Sequence, residues 1–212
     1  RFVNPPSGAA GAPESAQQLF EVSAGDSPTI VATTPESPPQ AQLIAAAGVV
    51  IAPAGTTSIA ATVTPLAATE EQAAQAAQGG AGGIAGNVYR LAIVDQDGRD
   101  LAFAAGKQAT VILRVPPNVP ADMAVARWDG TQWVQLSTAT GNQADLFRAQ
   151  TAALGDFTLI PKPGGAGLGI VFLAAIAVLA LLILAGAVLF ARRRTGPPPR
   201  ATSRPTRTTR RG

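Results

Sequence analysis

Between Asn87 and Ile160 apolar and polar residues alternate in short runs: 88–94, 101–104, 109–115, 123–128, 132–137, 144–151 and 157–160. Asp97-Gly98 and Asp129-Gly130 fall between runs as turn signals. A period of two sends every second side chain to one face, so each run predicts a half-buried strand, and turns this closely spaced predict antiparallel neighbours. Upstream, 43–64 reads as two strands around Pro53-Ala54-Gly55. Residues 67–78, rich in Ala, Gln and Glu, predict either a short helix or a mobile loop, because the propensity is helical but no apolar stripe exists to dock it. The expected fold class is mostly β, an antiparallel β-sandwich over 41–161. Residues 1–40 carry seven of the eighteen prolines and only short apolar pieces, and predict a flexible arm.

Residues 168–191 break the pattern: twenty-four positions without a charge, a strong amide or a proline. As a helix they would extend about 36 Å, enough to cross a hydrocarbon core of about 30 Å with some tilt. A transmembrane α-helix is the expectation, preceded by a Gly-rich linker over 162–167 and followed by a tail over 192–212 that opens with Arg192, Arg193 and Arg194. Arginines resist translocation, which predicts a single-pass protein with its tail cytoplasmic and its N-terminal domain extracytoplasmic, periplasmic or extracellular. That topology calls for a signal peptide, and a chain opening at Arg1 is what its removal would leave. Ala177, Ala180, Ala187 and Ala191, in register with Leu184, offer a flatter face for close helix packing; alanine is also common throughout this chain.

Composition narrows the chemistry. The chain has no cysteine and no histidine, which removes disulfides, thiolate and imidazole metal ligands, haem ligation and every Cys- or His-based nucleophile pair. No cofactor and no enzymatic activity are expected. The net charge of +3 divides into about −5 over 1–167 and +8 over 192–212. A basic tail without interleaved aromatics, on an acidic domain, does not read as a nucleic-acid surface. Arg192, Arg193, Arg194, Arg200 and Arg204 are instead candidates for contact with anionic lipid headgroups or an acidic partner, beside plain topology control by the first three. Asp95, Asp97 and Asp100 place carboxylates close enough to suggest calcium, but the spacing departs from an EF-hand loop and a solvated hairpin turn is the preferred reading. The run Gly79-Gly80-Ala81-Gly82-Gly83 lacks a phosphate-binding lysine and reads as a connector.

The segment Arg127-Trp128-Asp129-Gly130-Thr131-Gln132-Trp133 is the clearest local unit. A two-residue Asp-Gly turn would set Ala126 opposite Trp133 and Trp128 opposite Thr131, bringing the tryptophans diagonally together on one face. Together with Gly48-Val49-Val50-Ile51-Ala52-Pro53-Ala54-Gly55-Thr56 and a closing Gly155-Asp156-Phe157, this pattern over 43–160 resembles the β-sandwich module of ankyrins, netrin receptors and zonula occludens proteins, found also in bacterial surface proteins. The resemblance implies a module that scaffolds or relays. Some relatives of that module cleave themselves at a His-Phe-Ser/Thr site; Asp156-Phe157-Thr158 has no histidine, so cleavage is not implied. Leu159-Ile160-Pro161-Lys162-Pro163-Gly164 is similar in order to a sortase signal, but Pro163 stands where the acyl-forming threonine belongs and the tail is long.

Two functions follow as expectations. The first is a non-catalytic structural or assembly subunit of a larger bacterial membrane complex, respiratory or photosynthetic, whose partners are other subunits and the bilayer. The second is a membrane-anchored adhesin or sensor binding an external ligand. Exposed tryptophans or a metal at the Asp95 turn would favour the second.

Overall fold

The computed structural model describes residues 13–23, 25–78, 83–116, 122–141 and 143–162. They form eleven strands and one helix: β1 (Ala16–Glu21), β2 (Ile30–Thr33), β3 (Ala41–Ala45), β4 (Ser58–Leu66), α1 (Glu70–Gln78), β5 (Ala85–Asp95), β6 (Ala109–Arg114), β7 (Met123–Trp128), β8 (Trp133–Gln135), β9 (Thr138–Thr140), β10 (Leu146–Thr151) and β11 (Gly155–Pro161). All pairing is antiparallel. A six-stranded sheet runs β1-β4-β5-β11-β7-β8 and a five-stranded sheet runs β2-β3-β6-β10-β9. The mostly β, antiparallel expectation is met.

One core is shared by the two sheets. Ile59, Ala61, Val63, Leu91, Ile93, Val125, Phe157 and Leu159 come from the first; Ile30, Leu43, Val111, Leu113 and Phe147 come from the second. Each set falls on alternate positions, and burial in β3 and β6 follows the same two-residue period. Val49, Val50, Leu101 and Phe103 join this core without belonging to a named strand: Val50 bridges Phe103, Ile51 N–H donates to Ala102 O at 2.9 Å, and Ala104 N–H to Val49 O at 2.8 Å. The run at 101–104, expected as a strand, is therefore an apolar loop that fills the core.

The flexible arm expected over 1–40 needs correction in its described part. β1 pairs with β4 from Ala16↔Val63 to Glu21↔Ser58, and β2 pairs with β3 from Ile30↔Ala45 to Thr33↔Gln42. Pro28, Pro35, Pro38 and Pro39 sit between strands rather than in them, and the fully buried Ile30 with Ala32 draws β2 onto the core. Pro35, Pro38 and Pro39 occupy a loop closed by Thr34, whose Oγ1 accepts from Gln40 N–H at 2.8 Å and whose N–H donates to Ala41 O at 3.0 Å. Gly86 in β5 has a φ of +100°, which side chains rarely adopt, and a Cβ there would lie a tight 3.0 Å from Pro116 Cγ, so both favour glycine.

The proposed span at 168–191 and tail at 192–212, with Ala177, Ala180, Leu184, Ala187, Ala191, Arg192, Arg193, Arg194, Arg200 and Arg204, lie outside the described residues, as do all but Lys162 of the linker. Among the described residues no helix is long and apolar enough to cross a membrane.

β11 lies between β5 and β7, and its Phe157 is wholly buried. Phe157→Ala is expected to cost about 3–5 kcal/mol through lost transfer energy and the cavity left behind. Urea unfolding of the two proteins measures it, and a loss below about 1 kcal/mol would contradict the central position assigned to this ring.

Candidate functional site

On the outward face of the six-stranded sheet, α1 gathers polar and aromatic side chains into one cluster. The helix starts with a reciprocal cap: Gln72 N–H donates to Thr69 Oγ1 and Thr69 N–H donates to Gln72 Oε1, both at 3.1 Å. Ser/Thr-x-x-Gln/Glu is a readable helix-start signal, and Thr69-Glu70-Glu71-Gln72 carries it. Glu70 and Glu71 then lie in the first turn, where the helix dipole favours negative charge.

Only Gln72 and Ala76 of the helix are buried. Ala76 packs with Val88, Ala126, Trp133 and Ile160, flanked by Leu66, Ile84 and Trp128. As the sequence indicates, the helix has no apolar stripe; Ala76 alone supplies its buried apolar contact, and polar bonds complete the docking. Trp133 Nε1–H donates to Gln72 O at 3.0 Å and its backbone N–H to Gln75 Oε1 at 3.3 Å. Gln72 Nε2–H donates to Asp156 Oδ2 at 3.4 Å, and Arg90 grips the same carboxylate through Nε–H to Oδ1 at 2.7 Å and Nη2–H to Oδ2 at 3.0 Å. The pair is cross-strand, Arg90 of β5 facing Asp156 of β11, and the hydrogen bonds to Asp156 hold the guanidinium pKa above its ordinary value. Three donors thus meet this one carboxylate, and through them Asp156 ties α1 to β5 and β11.

The tryptophan hairpin differs from its expected register. Trp128 stands directly opposite Trp133, Arg127 opposite Val134 and Ala126 opposite Gln135. The rings meet edge to face, centroids 5.2 Å apart at 61°. The cause is Asp129: its Oδ1 accepts from Thr131 N–H, Thr131 Oγ1–H and Gln132 N–H, each at 2.9 Å. Capturing Thr131 N–H takes the amide that would close a two-residue Asp-Gly turn on Trp128, and the turn centre lies instead at Gly130-Thr131. The two tryptophans still share a face, because the register moves without exchanging faces. Trp133 is 8% exposed and Trp128 half-buried.

Asp95, Asp97 and Asp100 do not converge on a cation site. Asp95 Oδ1 accepts from the N–H groups of Asp97 and Arg99 at 2.9 Å, and its Oδ2 accepts from Arg99 Nε–H at 2.8 Å. Arg99 also pairs with Asp97, while Asp100 bridges to Val94. The backbone bond from Arg99, reinforced by those from Asp97 and the guanidinium, keeps the Asp95 carboxyl below its ordinary pKa despite burial. This is a turn closed on its own arginine. Among the described residues no three His, Cys, Asp or Glu side chains are grouped to hold a metal.

A groove of about 420 Å³ opens where β11 begins at Gly155, lined by Arg90, Leu91, Asp100, Leu101 and Leu154 among others. Its walls are mainly aliphatic, and its one cation is already committed to Asp156. Elsewhere Tyr89 is held neutral, its pKa pushed up to about 12 by burial, with the nearby Glu36 charge adding to the effect and a bond from Asn87 opposing it. Arg114, 7% exposed, donates to Pro39 O at 3.0 Å and pairs with Asp145, tying two loops together. No protein-family model matches the chain, and no curated protein matches it significantly.

The Asp129 turn makes a pH prediction. Bonds from Gln132 and Thr131 depress its carboxyl from 3.8 to about 2. A depressed folded-state pKa means the ionised group favours the fold above the unfolded value, and this contribution is lost as pH falls through the folded one. The difference in urea midpoint between the wild type and Asp129→Asn is expected to be largest above about pH 5 and to close toward pH 2. A pH-independent difference would contradict the assignment.

Proposed function

We propose that this chain is a single-pass membrane protein whose extracytoplasmic β-sandwich acts as a non-catalytic assembly subunit of a larger membrane complex. One observation carries the reading: the uncharged run over 168–191 is followed immediately by Arg192, Arg193 and Arg194. The same arginines, with Arg200 and Arg204, supply the contact to anionic headgroups on the cytoplasmic side. Ala177, Ala180, Ala187 and Ala191 with Leu184 form the helix face for a neighbouring span. A bacterial energy-transducing complex is the setting proposed.

The chemistry of the β-rich portion supports an assembly role. Asp156, Asp95 and Asp129 are each committed to internal donors, and histidine and cysteine are lacking. The adhesin reading depended on exposed tryptophans or a metal at the Asp95 turn. Trp133 lies under α1 with the half-buried Trp128 against it, and Arg99 pairs with Asp95 and Asp97 of that turn, features that favour assembly. The resemblance to scaffold modules of ankyrins and netrin receptors points the same way.

With a C-terminal tag on the full chain, protease added outside intact cells is expected to remove residues before Gly167 and spare the tag. Purification from the same membranes in mild detergent is expected to recover other subunits in fixed ratio to the chain. Protection of the N-terminal portion would overturn the orientation, and recovery of the chain alone would overturn the subunit reading.

A further inference from the structure

We infer that β1 is a self-association edge, at which a second copy of this chain adds its own β1 antiparallel and joins two six-stranded sheets into one. Four strands end the two sheets: β1, β8, β2 and β9. β8 and β9 are three residues long and β2 four, whereas β1 has six. Short edges protect themselves against pairing; long ones normally carry proline, lysine or a bulge. β1, Ala16-Gln17-Gln18-Leu19-Phe20-Glu21, has none of these, and its register with β4 is unbroken.

The backbone groups that face the open edge can be assigned. Val22 N–H donates to Thr57 O at 3.0 Å, continuing the β1–β4 register. In an antiparallel ladder the direction alternates, so Phe20, Gln18 and Ala16 also bond toward β4, and Gln17, Leu19 and Glu21 direct their N–H and C=O groups outward. On the outward face of the sheet, Leu19 is 74% exposed, above Ile51 at 53%, Val31 at 43% and Val134 at 37% among the described residues. An extended backbone whose outward groups are unpaired among the described residues, with a bare leucine at its centre, has the features of strand addition.

The occupant follows from self-complementarity. A two-fold axis midway between the two Leu19 residues, perpendicular to the sheet, sets Leu19 against Leu19 of the second copy, Gln18 against Phe20 and Gln17 against Glu21. Each residue meets one on the same face of the sheet. Leucine covers leucine, and each Glu21 carboxylate meets a Gln17 amide rather than another charge, so no like charges stand opposite one another. A closed isologous pair results. Six residues a side bury much less than the roughly 1,600 Å² of a standard interface, so the pair is weak and is best trapped covalently.

The absence of native cysteine makes the test clean. The full chain carrying Leu19→Cys is mildly oxidised beside one carrying Glu21→Cys. In the proposed register the Leu19 Cα atoms of the two copies lie about 5.5 Å apart, within disulfide reach, and the Glu21 Cα atoms about 15 Å apart. Leu19→Cys is expected to form covalent dimer at least about tenfold faster than Glu21→Cys, and Gln17→Cys with Glu21→Cys in one chain is expected to restore cross-linking. Circular dichroism confirms that each variant keeps its β structure, as expected for such exposed positions. Equal rates at residues 19 and 21 would show a dimer held elsewhere, for instance through 168–191, and would overturn the proposal; so would failure of Leu19→Cys to cross-link.

Discussion

A β-strand gives adjacent residues to opposite faces, and the described part of this protein depends on how β5 and β11 use that constraint. Leu91 and Ile93 of β5 and Phe157 and Leu159 of β11 enter the core shared with the second sheet. Their neighbours Arg90 and Asp156 face outward and bind each other. Through Gln72 this ion pair reaches α1, and through α1 it reaches Trp133. The inner set gains from area removed from water, and the outer set gains from directed bonds on a half-covered face. A single change at β11 can therefore be felt on both sides of the sheet.

The two kinds of stabilisation differ in strength. The core holds rings and branched aliphatics with essentially no exposure, while α1 contributes only Gln72 and Ala76 as buried residues. Nine residues are too few for a helix to persist alone in water, so α1 exists because the cap at Thr69 and the bonds to Trp133 and Asp156 hold it. Arg90 is largely exposed, which screens its pairing and limits what it adds. The helix is expected to be the least stable element of this portion, and the β5–β11 pair among the most stable.

Much of the β pattern was legible because alternation is strong where both apolar and polar residues are frequent, as over 109–114 and 146–151. β1 and β2 were not, since the surrounding prolines dominate composition and each strand brings few large apolar side chains. Their stability comes from pairing with β4 and β3, which no local window contains. The run at 101–104 misled because apolar residues entering a core from a loop look like a strand. At the outward face, Thr69–Gln72 carried a readable cap signal, whereas the meeting of Arg90 with Asp156 depends on sheet order. The tryptophan register turned on one carboxylate, Asp129, outcompeting the usual Asp-Gly turn.

Outward polar bonds keep α1 on a separately stable core, and hydrogen exchange on the full chain tests this most directly. Amides of β5 and β11 should exchange slowest and those of α1 faster by orders of magnitude, and Arg90→Gln should accelerate α1 while leaving inward-facing protection in β6 unchanged. If α1 exchanges as slowly as β11, or if the substitution accelerates every element alike, the division between core and cover is wrong.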